Sequence, residues 1–189
     1  MMYRIEKVLN HNTVIAIHQD KHKEVLIMGK GVGFGRKVAE RIEVRPEDRL
    51  YSLQKYKERG GAKEIVKSIA PEFLELTNAV LGEAEKVFGK IDRMVLFPLA
   101  DHIAFAVKRI QNHEQISNPL TEDIRVLFHM EFKVAESIRP LLKKQFQIDI
   151  EDDEIGYVAL HIHSAIEDEK VSQAMQMARS VRELSLIHI

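Results

Sequence analysis

Hydrophobic and polar positions follow two rhythms along the 189 residues. Up to about residue 54 the apolar residues come in short, β-branched runs. Residues 3–9 and 13–19 flank Asn10-His11-Asn12, a polar turn, and residues 24–28 follow a second turn at Asp20-Lys21-His22. Runs of this length bounded by turn residues predict strands. Val14-Ile15-Ala16-Ile17 alternates imperfectly, which predicts a strand covered in part on both faces. Residues 49–53, after the turn at Pro46, predict a fourth strand. A four-stranded antiparallel sheet of about 55 residues has a small core and is marginal alone, so dimerisation is expected to support it.

A polar stretch ending in Gly60-Gly61 predicts a linker over 56–64. Beyond it the period becomes helical. Residues 71–88 place Phe73, Leu74, Leu76, Val80, Leu81, Ala84, Val87 and Phe88 near one stripe. Residues 99–110 do the same with Ile103, Ala106, Val107 and Ile110. Residues 121–146 read as one long amphipathic segment that Pro140 kinks or breaks. Asp152-Asp153-Glu154 stands where the positive end of a helix dipole favours acid, and residues 155–166 follow as a helix. The expected fold class is therefore α+β in two separate domains, a small four-stranded antiparallel sheet followed by an all-α bundle. The expected boundaries are 1–55 and 65–170. Residues 171–189 open a further helix but end abruptly in apolar Leu186, Ile187 and Ile189. They read as the truncated start of another domain or a non-native tail.

Charge sharpens this division. The net charge is −1, but residues 1–59 hold 13 Lys+Arg against 8 Asp+Glu, net +5, and residues 60–189 hold 15 against 21, net −6. A basic sheet points to a polyanionic partner. There is no Cys, which excludes disulfide scaffolds, thiolate catalysis and Cys-ligated zinc, and fits a reducing cytoplasm. Apolar runs such as 94–100 are far below the ~18 residues that span a bilayer. The charged first residues (Arg4, Glu6, Lys7) lack a signal-peptide core. No membrane association is expected.

Four of the nine glycines lie in Gly29-Lys30-Gly31-Val32-Gly33-Phe34-Gly35-Arg36-Lys37. No Ser or Thr follows a Gly-Lys as a P-loop requires, and the spacing is not that of a dinucleotide fingerprint. What remains is a pliable loop with one aromatic and several cations. Bases of unpaired or bulged RNA stack on aromatics while cations meet the phosphates. Phe34 either does this or tucks into the core of a tight turn. Asn10 and Asn12 carry amides able to read a base edge, or simply suit the turn.

Among the nine histidines, His11, His18, His22, His113 and His188 lie in or near turns and ends, and His129 sits on an amphipathic helix. Asp101-His102 opens an apolar helix, and His161 and His163 flank Ile162. Positions i and i+2 do not share a helix face, so this is no natural metal pair, and one of the two should point inward. Each is either a satisfied core histidine or a nucleophilic imidazole, which Asp101 could orient at His102. No catalytic set, metal site or cofactor site is read from the sequence.

Taken together these residues resemble the BglG/SacY family of transcriptional antiterminators. The co-antiterminator RNA-binding domain is matched by Lys7-Val8-Leu9-Asn10-His11-Asn12-Thr13-Val14 and by Val25 to Phe34. One PTS regulation domain is matched by Leu99-Ala100-Asp101-His102-Ile103-Ala104-Phe105-Ala106 and by Asp153 to Ile162. The resemblance implies a sheet that works as a symmetric dimer on an RNA hairpin and so prevents termination ahead of sugar-utilisation genes. It implies RNA contacts by Asn10, Asn12, Gly29, Lys30 and Phe34, with Lys7 beside them. It also implies phosphorylation of His102 and His161 by phosphotransferase-system proteins. The family normally carries a second regulation domain. Two rivals stand beside it. One is a phosphohistidine phosphotransferase using His102, for which no acceptor motif is seen. The other is a DNA-binding factor of the same regulatory superfamily, for which no helix-turn-helix pattern is seen.

Overall fold

The computed structural model describes residues 1–54, 61–114, 116–167 and 170–187, with side chains in the last helix up to residue 184. Residues 56–60 of the expected linker, and His188 and Ile189 of the tail, lie outside the described residues. The chain divides into two compact units, Met1–Glu75 and Leu76–Ile189.

The first unit is built on a five-stranded antiparallel sheet: β1 Met2–Asn10, β2 Thr13–His18, β3 Glu24–Met28, β4 Arg41–Glu43 and β5 Arg49–Ser52, in the spatial order β4-β1-β2-β3-β5. The expectation of four strands is corrected here. The strand expected at 49–53 forms β5, and β4 is the addition, pairing Met2 with Glu43 and Arg4 with Arg41 at the edge beside β1. With one apolar residue, Ile42, between two charges it offers no period to read. Its pairing with distant β1 and the burial of Ile42 make it a strand.

Tyr3, Ile5, Val14, Ala16, Ile27, Val32 and Ile42 form one core cluster. All of Thr13–Ala16 is buried, as expected of a strand covered on both faces. Register shifts between Ile5 and Lys7 and between Val8 and Asn10 break the β1–β2 ladder. Bulges of this kind re-aim side chains near a strand end, here next to the Asn10–Asn12 turn. Helix α1, Ala62–Ser68, completes the described part of this unit together with the opening of α2, Pro71–Phe88, and buries Ala62, Ile65 and Val66.

The helical unit contains most of α2, Pro71–Phe88, then a 3-10 turn at Arg93–Val95, α3 Leu96–Gln111, α4 Thr121–Leu127, α5 His129–Ala135, α6 Ile138–Phe146, α7 Asp152–Glu167 and α8 Val171–Ile187. The single segment read at 121–146 is three helices. The chain leaves helical geometry at Phe128 (φ −117°, ψ 46°) and turns again at Glu136-Ser137. Pro140 does not break it. It is the third residue of α6, where the missing N–H would have had no helical partner. Ala174 and Ala178 of α8 are fully buried, and Arg182 donates to the Pro119 carbonyl, so α8 packs on this unit. Among the described residues no helix is long and apolar enough to cross a membrane.

Candidate nucleic-acid interface and histidine pair

Five of the six expected RNA-contacting residues converge at one end of the sheet. The glycine loop leaves β3 at Met28 and folds back over the β1–β2 turn. Three backbone amides fasten it there. Gly29 N donates to the Asn12 carbonyl at 2.9 Å, Gly33 N to the His11 carbonyl at 2.9 Å, and Gly31 N to Asn12 Oδ1 at 2.8 Å. Asn10 Oδ1 in turn accepts from Asn12 N at 2.9 Å. The asparagines thus shape the turn and anchor the loop, as their local hydrogen bonding favours.

Two glycines are there because nothing larger fits. A Cβ on Gly33 would stand 2.2 Å from the Asn10 carbonyl oxygen. A Cβ on Gly29 would stand 1.8 Å from Asp48 Oδ1. Gly29 therefore gives room to the buried Asp48 carboxylate, to both of whose oxygens the exposed Arg45 donates, at 2.7 and 3.1 Å; Arg45 also donates to the Lys30 carbonyl at 2.8 Å. Burial alone would raise the Asp48 carboxyl, but the hydrogen bonds from Arg45 outweigh it and hold it below its ordinary value. Sequence reasoning missed this pair.

The core position in the loop belongs to Val32, while Phe34 is 68% exposed and meets His11 edge-on at 5.2 Å. That removes the alternative in which Phe34 fills the core. Lys30 and Lys37 are exposed, and Arg36 pairs with Glu40. Lys7 lies apart from the turn, exposed at the first bulge of β1. The loop end is thus an aromatic face, two amide-bearing residues and several cations on a fixed scaffold, which is the chemistry of a nucleic-acid contact.

One carboxylate occupies the asparagine amides. Asn10 Nδ2 donates to Glu75 Oε1, and Asn12 Nδ2 donates to Glu75 Oε2 at 3.2 Å. Glu75 is 63 residues from Asn12, and no local signal in the sequence marks it.

In the helical unit His102 of α3 and His161 of α7 face each other, ring centroids 5.5 Å apart, with Tyr157 also 5.5 Å from His102. His163 turns the other way. Its Nδ1 lies 2.9 Å from Glu131 Oε1, and its ring packs on Phe128 at 4.3 Å. The i, i+2 histidines therefore diverge, as helix geometry requires. Asp101 is exposed; the carboxylate facing His102 is that of Glu154, its Oε2 3.2 Å from Nε2. Arg109 donates to Glu154 Oε1 and lies over the Phe105 ring at 4.7 Å. Burial alone would raise the Glu154 carboxyl; His102 and Arg109 outweigh it and hold it below the usual range. His161 keeps some exposed surface, but its Nδ1 is enclosed. Burial, with the nearby His102, lowers its pKa to about 3. The ring is therefore a neutral imidazole with a free lone pair at any cellular pH, the form a nucleophile needs.

Residues 3–60 match the family described as the CAT RNA binding domain, and residues 75–165 match the PRD domain. The chain is 33% identical over 171 residues to the GlcA/glcB genes antiterminator of Staphylococcus carnosus (strain TM300), covering 88% of this chain and 58% of that protein. It is 24% identical over 182 residues to the beta-glucoside operon antiterminator of Dickeya chrysanthemi, covering 96% and 64%. The crystal structure of GlcT CAT-PRDI superposes with a TM-score of 0.73 at 30% identity, covering 88% of this chain and 99% of that one. The chain spans less than two thirds of the length of the curated relatives it matches.

Proposed function

The chain belongs to the family of antiterminators that join a CAT RNA-binding domain to a PRD domain, and from that premise we propose that it binds an RNA hairpin under control of histidine phosphorylation. The sheet is the RNA reader. Phe34 stacks on an unpaired base, Asn10 and Asn12 hydrogen-bond base edges, and Lys30 and Lys7 meet phosphates. Gly29 contributes by letting the loop approach closely. Binding holds the hairpin in the form that excludes a terminator, so a sugar-utilisation operon is transcribed. The observation that carries this reading is the loop end, where an exposed Phe34 and the two asparagines sit on one hydrogen-bonded scaffold.

The reader works as a homodimer in the cytoplasm, with residues 1–55 of two copies forming one composite RNA surface. The helical unit, Leu76–Ile189, is the regulatory domain. Phosphotransferase-system proteins phosphorylate His102 and His161. The chain accepts phosphate and is not itself an enzyme. Each phosphate adds about −1.5 to −2 charges, by analogy with other phospho-residues. A full two-state switch from 1:99 to 99:1 needs about 5.5 kcal/mol, of which charge repulsion across a symmetric interface supplies a part.

The test is hairpin binding at fixed salt. Phe34→Ala loses about 1–3 kcal/mol of affinity, the worth of one stacked base, with no loss of stability because the ring is exposed. Unchanged affinity in Phe34→Ala and Asn10→Ala removes the loop from the interface.

A further inference from the structure

His102 and His161 differ in which imidazole nitrogen is enclosed. On His102 it is Nε2, shut off from solvent and facing Glu154 Oε2 across 3.2 Å without the alignment of a hydrogen bond. On His161 it is Nδ1, buried with no hydrogen-bonding partner among the described residues. The other ring nitrogen, Nδ1 of His102 and Nε2 of His161, is not among these buried, unpartnered atoms. Glu154 is poorly placed to withdraw. Its second oxygen is held by Arg109, that guanidinium rests on Phe105, and the residue sits in the first turn of α7 with its side chain 5% exposed. A phosphoryl group on Nε2 of His102 would press its oxygens against this carboxylate, like charge on like charge where little water screens them.

Building on the phosphorylation proposed above, we propose that Glu154 is a positioning residue that makes Nδ1 the phosphoryl-accepting atom of His102, whereas His161 accepts on Nε2. The carboxylate keeps the His102 proton on Nε2, which leaves the lone pair on Nδ1. That pair attacks phosphorus as the donor's N–P bond breaks, and the bonding pair returns to the donor nitrogen. No proton moves. His102 becomes a phosphoimidazolium whose ring charge is balanced by Glu154. Among the described residues no carboxylate is paired with His161 in this way. Its neutral ring attacks through the nitrogen that is not enclosed. The two sites then carry different phosphohistidine isomers, each presenting its phosphoryl group in a different direction from the ring.

The isomers are distinguishable by long-range 15N–1H and 31P NMR, with the site located by peptide mass spectrometry. The full chain carrying His161→Gln, and separately His102→Gln, is phosphorylated with potassium phosphoramidate, which releases ammonia, and in parallel with a phosphohistidine donor protein of a phosphotransferase system. The expected result is the Nδ1 isomer at His102 and the Nε2 isomer at His161 with either donor. Glu154→Gln in the His161→Gln background should give a mixture of isomers at His102, a signature that a merely structural role of Glu154 would not produce. An Nε2 isomer at His102, or the same isomer at both sites, overturns the proposal. These two assignments need no change at Glu154, so they decide the matter even where Glu154→Gln unfolds. The expected isomers from phosphoramidate without any transfer from the donor protein would leave the nitrogen assignment standing and refute the phosphorylation reading instead.

Discussion

Gly33→Ala tests whether docking of the glycine loop on the β1–β2 turn organises the RNA-binding end. The new Cβ stands 2.2 Å from the Asn10 carbonyl oxygen and 3.2 Å from a methyl carbon of both Val8 and Val14. Real Cβ atoms essentially never come closer than 3.0 Å, so loop and turn must part by at least 0.8 Å, the difference between 3.0 and 2.2 Å. The obstacle is backbone on one side and, on the others, the buried Val14 and the partly buried Val8, both stiff β-branched side chains, so none of it swings away cheaply. A displacement of that size along the bond carries the 2.9 Å hydrogen bond from Gly33 N to the His11 carbonyl beyond 3.5 Å. Losing it costs about 1 kcal/mol, and overpacking costs about 1–3 kcal/mol. Stiffening the unfolded chain returns about 0.4–1 kcal/mol. The net loss is about 1–4 kcal/mol, against the ~3–5 kcal/mol that a core of this size supplies. Urea unfolding read by hydrogen exchange of peptides within residues 1–54 isolates this unit, because helices dominate far-UV circular dichroism. The midpoint of those peptides should fall while helical peptides keep theirs. Gly82→Ala is the control: a Cβ there meets nothing within 4 Å, and the helix should gain up to about 1 kcal/mol. Equal midpoints for Gly33→Ala and wild type would refute the docking argument.

Glu75→Gln removes a negative charge from the group that holds the Asn10 and Asn12 amides; hairpin affinity at low salt should rise, and an affinity equal to wild type would show that Glu75 does not compete with RNA. His161 should titrate near pH 3 by NMR, where a solvated imidazole titrates near 6.5. Its folded pKa is depressed, so the unfolded chain binds the extra proton first. Stability from this group is intact above about pH 6.5 and falls as pH drops toward 3, by at most about 1.4 kcal/mol per pH unit. A His161 that titrates near 6.5 in the folded protein would show that its ring is not enclosed.

Much of the sheet was legible because β-branched runs and Asn- and Gly-bearing turns are local signals. Strand β4 was not: Ile42 between Arg41 and Glu43 has no period, and its partners lie some 40 residues earlier. The stripe over 121–146 hid its own interruptions, since neither Phe128 nor Glu136-Ser137 is a helix breaker; packing sets those turns. The loop glycines, the asparagines and both histidines stood out by residue type and place. Glu75, Glu154 and the Arg45–Asp48 pair did not. Glu154 reads as an ordinary acid at a helix start until Arg109, 45 residues earlier, is brought to it. Asp101 looked better placed by sequence adjacency, yet on a helix the residue next to His102 points elsewhere.

The central claim is that RNA binding by the sheet answers to the state of His102 and His161. It is tested most directly by titrating one labelled RNA hairpin with the unphosphorylated and the phosphorylated chain at the same salt concentration. The chain should prefer the hairpin over a scrambled strand and over duplex DNA, lose affinity with added salt, and bind more weakly after phosphorylation. That weakening should vanish when both histidines are replaced by Gln. Identical affinity in the two phosphorylation states, or no preference for the hairpin, would contradict it.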